Sequence, residues 1–199
     1  MPKRDESHMA AVRQQILEAA RTVFDRKGVA AAAMSDVAAE AGLSVGSIYV
    51  HFRSKEDVLK KLIEAGNSTV GPFEACQSAG ELLGLMETVL LAQDAASRAN
   101  QTALEVATIA RRNPEIQALI AHNFSLVRAA VTDAVMRLGA ANEALDKAAL
   151  RAISEGLLSL LVAAQAKALV GVPPETEAKI KSARWLVGVL HGGPVKPRR

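Results

Sequence analysis

Apolar residues recur every three to four positions along most of the chain. Ile16, Ala19, Ala20, Val23 and Phe24 form one such stripe, with Arg13, Gln14, Glu18, Arg21 and Asp25 between them. That spacing predicts an amphipathic helix from Ala10 to Lys27, ended by Gly28. Residues 1–9 are polar and read as a disordered arm from which Lys3 and Arg4 can reach a minor groove. A short second helix is expected from Ser35 to Ala41, with Gly42 as its left-handed stop. Leu43 should plug inward. Ser44 suits the N-cap of a third helix, Val45 to His51, whose inward face is Ile48 and Phe52. Ser54, with Asp57 three residues on, is close to a capping box and starts a fourth helix at Lys55. Val58, Leu59, Leu62 and Ile63 give that helix its apolar face. Gly66, Gly71 and Pro72 then loosen the chain, and a domain boundary falls near residue 66.

Helical spacing continues beyond that point. The pattern predicts helices from Glu81 to Gln93, Ala95 to Arg112, Glu115 to Leu138, Glu143 to Leu169 and Pro174 to Leu190. Asn142 is the expected cap of the fourth of these. Gly171-Val172-Pro173-Pro174 reads as a turn. The fold class is all-α, about nine helices in total. Residues 1–66 form an N-terminal three-helix domain with a helix-turn-helix, and residues 67–199 form a second helical domain.

Composition narrows the classes. Half of the 199 residues are apolar and only 3% are aromatic, which suits helix bundles better than sheets. Net charge is +3, with ten Lys/Arg against eight Asp/Glu in residues 1–62. No basic tail drives nonspecific association, so contacts to nucleic acid must come from placed groups. The single cysteine, Cys76, cannot form an internal disulfide. No apolar run reaches membrane-spanning length, and MPKRDESH lacks a signal-peptide core. The expected location is the cytoplasm.

Two short helices joined by a tight glycine turn are the outline of a helix-turn-helix, whose second helix enters the major groove. Tyr49, His51 and Lys55 are suited to phosphates, and the helix start at Lys55 adds free N–H groups. Ser47 can donate to a phosphate or a base edge. Gly46 permits close backbone approach, and Val45 and Val50 can touch thymine methyls.

The order Val37-Ala38, Ala41-Gly42-Leu43-Ser44, Gly46, Tyr49, His51-Phe52 and Lys55-Glu56, preceded by ILEAARTVFDRKG, resembles the DNA-binding segment of the TetR family of transcriptional regulators. The resemblance covers roughly residues 12 to 62. It implies operator contacts from Ser44 to Ser47 and from Tyr49 to His51. Two positions depart from the family pattern. Ala33 stands where a Thr usually caps the second helix and often touches phosphate, so either that contact is absent or Ser35 partly replaces the cap. Val45 stands where many relatives carry a polar or basic residue, which bears on base preference.

The last two long helices carry Leu157, Leu158, Leu160, Leu161, Ile180, Ala183, Trp185, Leu186, Val187 and Leu190, more apolar surface than one buried stripe needs. The resemblance implies that these helices, about 143–169 and 174–190, pair with a second copy. A C2 dimer would grip two half-sites of a palindrome. Met86, Leu90, Gln93, Leu104, Ile109, His122, Asn123 and Phe124 are the candidate lining of a pocket for a small or aliphatic effector. The four histidines are far apart, Cys76 has no adjacent activator, and no phosphate loop or nucleophile elbow occurs, so neither catalysis nor a cofactor or metal is expected. The reading is a homodimeric transcriptional regulator, by family habit a repressor, released from its operator by a small molecule. Rival readings are a DNA-binding dimer without an effector, an activator, and an unrelated helical protein carrying a chance hairpin.

Overall fold

The computed structural model describes residues 2–66, 70–96, 101–169 and 175–192, with side chains for 6–66, 70–92, 102, 104–163 and 175–192. Among these residues it has ten helices and no strand. They are α1 (Pro2–Lys27), α2 (Met34–Ala41), α3 (Val45–His51), α4 (Lys55–Ala65), α5 (Val70–Ala75), α6 (Ala79–Ala96), α7 (Gln101–Ala110), α8 (Pro114–Gly139), α9 (Lys147–Leu169) and α10 (Thr176–Val189). The expected turn at residues 171–174, and the side chains of Lys3, Arg4 and Gln93, lie outside the described residues.

Four elements differ from the sequence expectation, the helix expected from Ala95 to Arg112 among them, since Ala95 and Ala96 end α6 and α7 runs from Gln101 to Ala110. Helix α1 starts at Pro2, so the disordered arm is corrected to helix. Proline's fixed φ suits the first helical position, and no glycine or later proline interrupts the run to Lys27. Helix α5 is the additional one. Gly71 and Pro72 lie in its first turn, where a missing N–H leaves nothing unpaired that was not already free. Helix α9 begins at Lys147 rather than Glu143, because Asp146 is its cap. The Asp146 Oδ1 accepts from the Ala149 N–H at 2.7 Å. Asn142 instead closes a turn, accepting from the Ala144 N–H at 3.1 Å, while its amide donates to the carbonyls of Val189 and Leu190.

The chain packs as two compact units. One comprises Met1–Gly66 with Gln101–Ala121; the other comprises Asn67–Asn100 with His122–Arg199. The packing is thus less simple than a single division at residue 66, since α7 and the first turns of α8 belong with α1–α4. No local sequence signal could assign α7 to a unit whose first segment ends at Gly66.

In the first unit the apolar stripe of α1 is the floor. Ile16, Ala20, Val23 and Phe24 are buried against Val37 and Ala38 of α2, Ile48 of α3, Phe52, and Val58 and Leu59 of α4. Ala110 and Ile116 close the same core from α7 and α8. Polar pairs pin its edges. Arg26 meets Glu40 at 3.0 Å, Lys27 meets Asp36 at 2.7 Å, and Lys60 pairs with Glu115.

In the second unit Leu82, Met86 and Leu90 of α6 repeat every four residues and face Val131 and Val135 of α8, Leu150, Leu157 and Leu161 of α9, and Ala183 and Val187 of α10. Helix α6 packs on both α9 and α10, which also pack on each other. One polar pair is enclosed there. The hydroxyls of Thr132 and fully buried Ser154 share a hydrogen bond at 2.8 Å, so burial leaves that serine satisfied. Among the described residues no helix is long and apolar enough to cross a membrane.

Phe52 is only 2% exposed and is the last apolar anchor beneath α3. Truncation to Ala is expected to cost about 3–5 kcal/mol through lost burial and the cavity left behind. Denaturant unfolding of Phe52→Ala measures this directly, and an unchanged midpoint would remove Phe52 as the anchor.

Candidate nucleic-acid interface

Helix α2 ends at Gly42, which adopts φ 65° and ψ 29°, a left-handed geometry that costs glycine little. The Gly42 N–H donates to Ala39 O, and the Leu43 N–H returns to Ala38 O at 2.9 Å. The chain therefore reverses tightly and delivers Ser44 to the start of α3. The Ser44 Oγ accepts from the Ser47 N–H at 3.0 Å, which is the cap expected there. The Ser44 and Ser47 hydroxyls also share a hydrogen bond at 2.8 Å.

Once Ile48 and Phe52 are buried, the opposite face of α3 has no choice but to face outward. Val45 is 41% exposed, Tyr49 52% and Val50 71%; Ser44 and Gly46 are also exposed. Ser47 and His51 are half-buried at the flanks. Three large side chains exposed on one seven-residue helix make a surface shaped for contact rather than for solvent. The structure thus brings seven of the eight expected DNA-contact residues, Ser44 to Ser47 and Tyr49 to His51, onto a single short segment.

Lys55, the eighth, has another occupation. Its Nζ donates to the carbonyls of Ala30 at 2.9 Å and Ala32 at 2.8 Å, in the turn between α1 and α2. Two of its three N–H bonds are used there. Removing this side chain is therefore expected to cost stability as well as a phosphate contact.

Helix α2 has no capping side chain, since Ala33 occupies the N-cap. Ser35 does not substitute for it. Asp36 supplies the reciprocal half of a capping box, its Oδ2 accepting from the Ala33 N–H at 3.0 Å. The Lys27 ammonium on its other oxygen, together with that N–H, holds the Asp36 carboxyl below the usual carboxylate range. Position N3 of α2 is where a capping-box reading would have found Asp36. At the other end of α2 the Gln15 amide donates to Ala41 O at 2.7 Å. Arg13 lies over Phe52, its guanidinium carbon 5.4 Å from the ring centroid, and covers the buried ring from the solvent side.

The candidate effector residues are not gathered in one unit. Met86 and Leu90 are buried in the core of the second unit. Ile109 packs against the core of the first, where Leu104 is exposed. His122 and Phe124 are exposed and Asn123 half-buried on α8, and the Gln93 side chain lies outside the described residues.

A short capped helix, seated by two apolar anchors behind a glycine-turned partner and presenting its other face outward, defines a helix-turn-helix DNA-binding protein. Residues 16–62 match the family model described as "Bacterial regulatory proteins, tetR family". The HTH-type transcriptional repressor Rv1474c of Mycobacterium tuberculosis is 33% identical over 146 residues, covering 73% of this chain and 76% of that protein. The HTH-type transcriptional regulator YfiR of Bacillus subtilis is 43% identical over 65 residues, so the match spans only 32% of its length. A TetR transcription regulator from Haloarcula marismortui has a similar fold, with a TM-score of 0.74 at 18% identity over 90% of this chain and 98% of that one. The chain belongs to the tetR family, whose members are DNA-binding transcriptional regulators.

Two substitutions separate contact from scaffold. Tyr49→Ala should weaken duplex binding by about tenfold or more, the loss of one good contact, with an unchanged melting temperature. Lys55→Ala should lower stability by about 1–3 kcal/mol through loss of its charged hydrogen bonds, in addition to any loss of affinity. Thermal melts paired with duplex titrations distinguish them, and a destabilised Tyr49→Ala would contradict the outward placement.

Proposed function

We propose that this protein is a repressor that holds a palindromic operator as a homodimer and lets go when a small molecule binds. The observation that carries the DNA half is the outward face of α3, with Tyr49 and Val50 more than half exposed while Ile48 and Phe52 anchor the opposite side. Ser44, Val45, Gly46, Ser47, Tyr49, Val50 and His51 are its contact residues. Lys55 joins them through its remaining N–H bond and the positive end of α4. In this reading residues 1–66 are the functional DNA-binding domain, with Gln101–Ala121 packed on it, and the rest dimerises and senses. The work is done in the cytoplasm, where operator DNA is found. Repression is supported by relatives named as repressors, among them Rv1474c and the KstR2 proteins of Mycolicibacterium smegmatis and Rhodococcus jostii.

The dimer is supported by the outer faces of α9 and α10. Trp185 is 60% exposed and Val162 49% exposed, on helices whose buried stripes are already filled by Leu157, Leu161, Ala183 and Val187. A second copy placed against these helices would cover that surface, and a palindrome with half-sites one helical turn apart, about 34–36 Å, would take one α3 from each copy. The effector half rests on the family, whose members commonly respond to ligands. The second unit would hold the effector, with Met86, Leu90 and Phe124 as apolar contacts. Release then follows from the effector's preference for a state whose two reading heads are wrongly spaced.

Selection of duplexes from a random pool tests this reading. An inverted repeat with half-site centres about 10–10.5 base pairs apart, or a multiple of that, is the expected product, and binding should fall steeply with salt. A recovered single half-site would overturn the dimeric reading. Recovery of no sequence at low salt would overturn operator binding itself.

A further inference from the structure

The turn between α1 and α2 is held from both sides by side chains far away in the sequence. The Glu105 Oε2 of α7 accepts from the Ala30 N–H at 2.8 Å. On the other side of the same residue, the Lys55 Nζ donates to Ala30 O at 2.9 Å and to Ala32 O at 2.8 Å. The backbone of Ala30 is thus clamped, its N–H by an anion and its C=O by a cation. Charge-assisted hydrogen bonds of this kind are roughly twice as strong as neutral ones.

Two further contacts fit the clamp. Gly28 adopts φ +79°, and a Cβ there would stand 2.9 Å from the Glu105 Cδ and nearer still to its Oε1. Only glycine therefore allows both the left-handed turn and the approach of the carboxylate. One turn earlier on α7, the Thr102 Oγ1 donates to Phe24 O at 2.9 Å, at the C-terminal end of α1. Helix α7 is fixed to the end of α1 and reaches past it to the turn.

That turn leads directly into Ala33, the N-cap of α2, which has no capping side chain of its own. Helix α2 packs on α3 across the Gly42 reversal. A change in where α2 begins therefore changes where α3 is presented, and the first helix of the pair crosses the DNA backbone as the second enters the groove. We infer that Glu105 is a positioning residue for the DNA-reading helices: through the Ala30 N–H it holds α2, and hence α3, in the arrangement that fits a duplex. The inference rests on the proposed DNA-binding function and assigns a role in it to a side chain that does not touch DNA.

Charge and position have opposite signs here, which makes the inference testable. A carboxylate near DNA repels phosphate, so if charge alone mattered, Glu105→Ala and Glu105→Gln would both bind more tightly. If position matters, Glu105→Ala should bind the selected duplex about tenfold more weakly, as expected when only a tenth of molecules keep the competent turn. Glu105→Gln keeps an oxygen for the Ala30 N–H and should bind at least as well as the parent protein. The second readout needs no DNA. By residue-resolved hydrogen exchange on the full chain, the Ala30 amide should exchange about tenfold faster in Glu105→Ala and at the parent rate in Glu105→Gln. Equal affinity of all three proteins, tighter binding by both variants, or equal weakening of both would overturn the inference. If the parent protein bound no duplex, the DNA-binding reading would fall by itself. The clamp would then stand or fall on exchange, and an Ala30 amide equally protected in Glu105→Ala would sink it.

Discussion

A seven-residue helix does not persist by itself in water, because nucleation costs more than a few backbone hydrogen bonds return. Helix α3 is such a helix. It exists because Ile48 and Phe52 are drawn into the core laid down by α1, and because Ser44 satisfies the N–H of Ser47 that the helix cannot. This constraint also sets the function. With the anchors four residues apart on one side, Val50, two positions from each, is turned to the other, while Val45 and Tyr49 flank the anchors and stay about half exposed. The outward display is a consequence of how the helix is held, so folding and DNA reading depend on the same two apolar side chains.

The supports around α3 fall into those a local pattern reveals and those it does not. Gly42, Ser44 and Ser54 are signals beside the helix ends they control, and α2 ends and α3 and α4 begin where those signals put them. Asp36 was visible in principle, as the acidic residue at N3 of a helix whose N-cap is Ala33. Lys55 and Glu105 were not. Their partners lie 23 to 25 and 75 residues away, respectively, and the acceptors and donor involved are backbone atoms of alanines, which leave no trace in side-chain chemistry. A lysine at the start of a helix after a DNA-reading segment invites a phosphate assignment; in the structure two of its donors serve the turn instead.

The second unit shows the same contrast. The four-residue repeat of Leu82, Met86 and Leu90 marks the buried side of α6, and these are among the most buried residues of the chain. The pattern does not fix the start of α9, because Asn142 and Asp146 are both good caps, four residues apart, and only the tertiary contact of Asn142 with the carbonyls of Val189 and Leu190 decides between them. The candidate effector residues from Met86 to Phe124 fall on helices of both units. The chain leaves the second unit at Asn100, contributes α7 to the first, and returns at His122.

Tyr49 is the only tyrosine in the chain, which makes the central claim open to direct measurement. Its ring is more than half exposed and should nitrate readily in the protein alone. In a saturated complex with a selected duplex, the outward face of α3 is predicted to lie in the major groove, and nitration of Tyr49 should be strongly suppressed. If Tyr49 reacted equally fast with and without bound DNA, that face would not be the surface that meets the double helix.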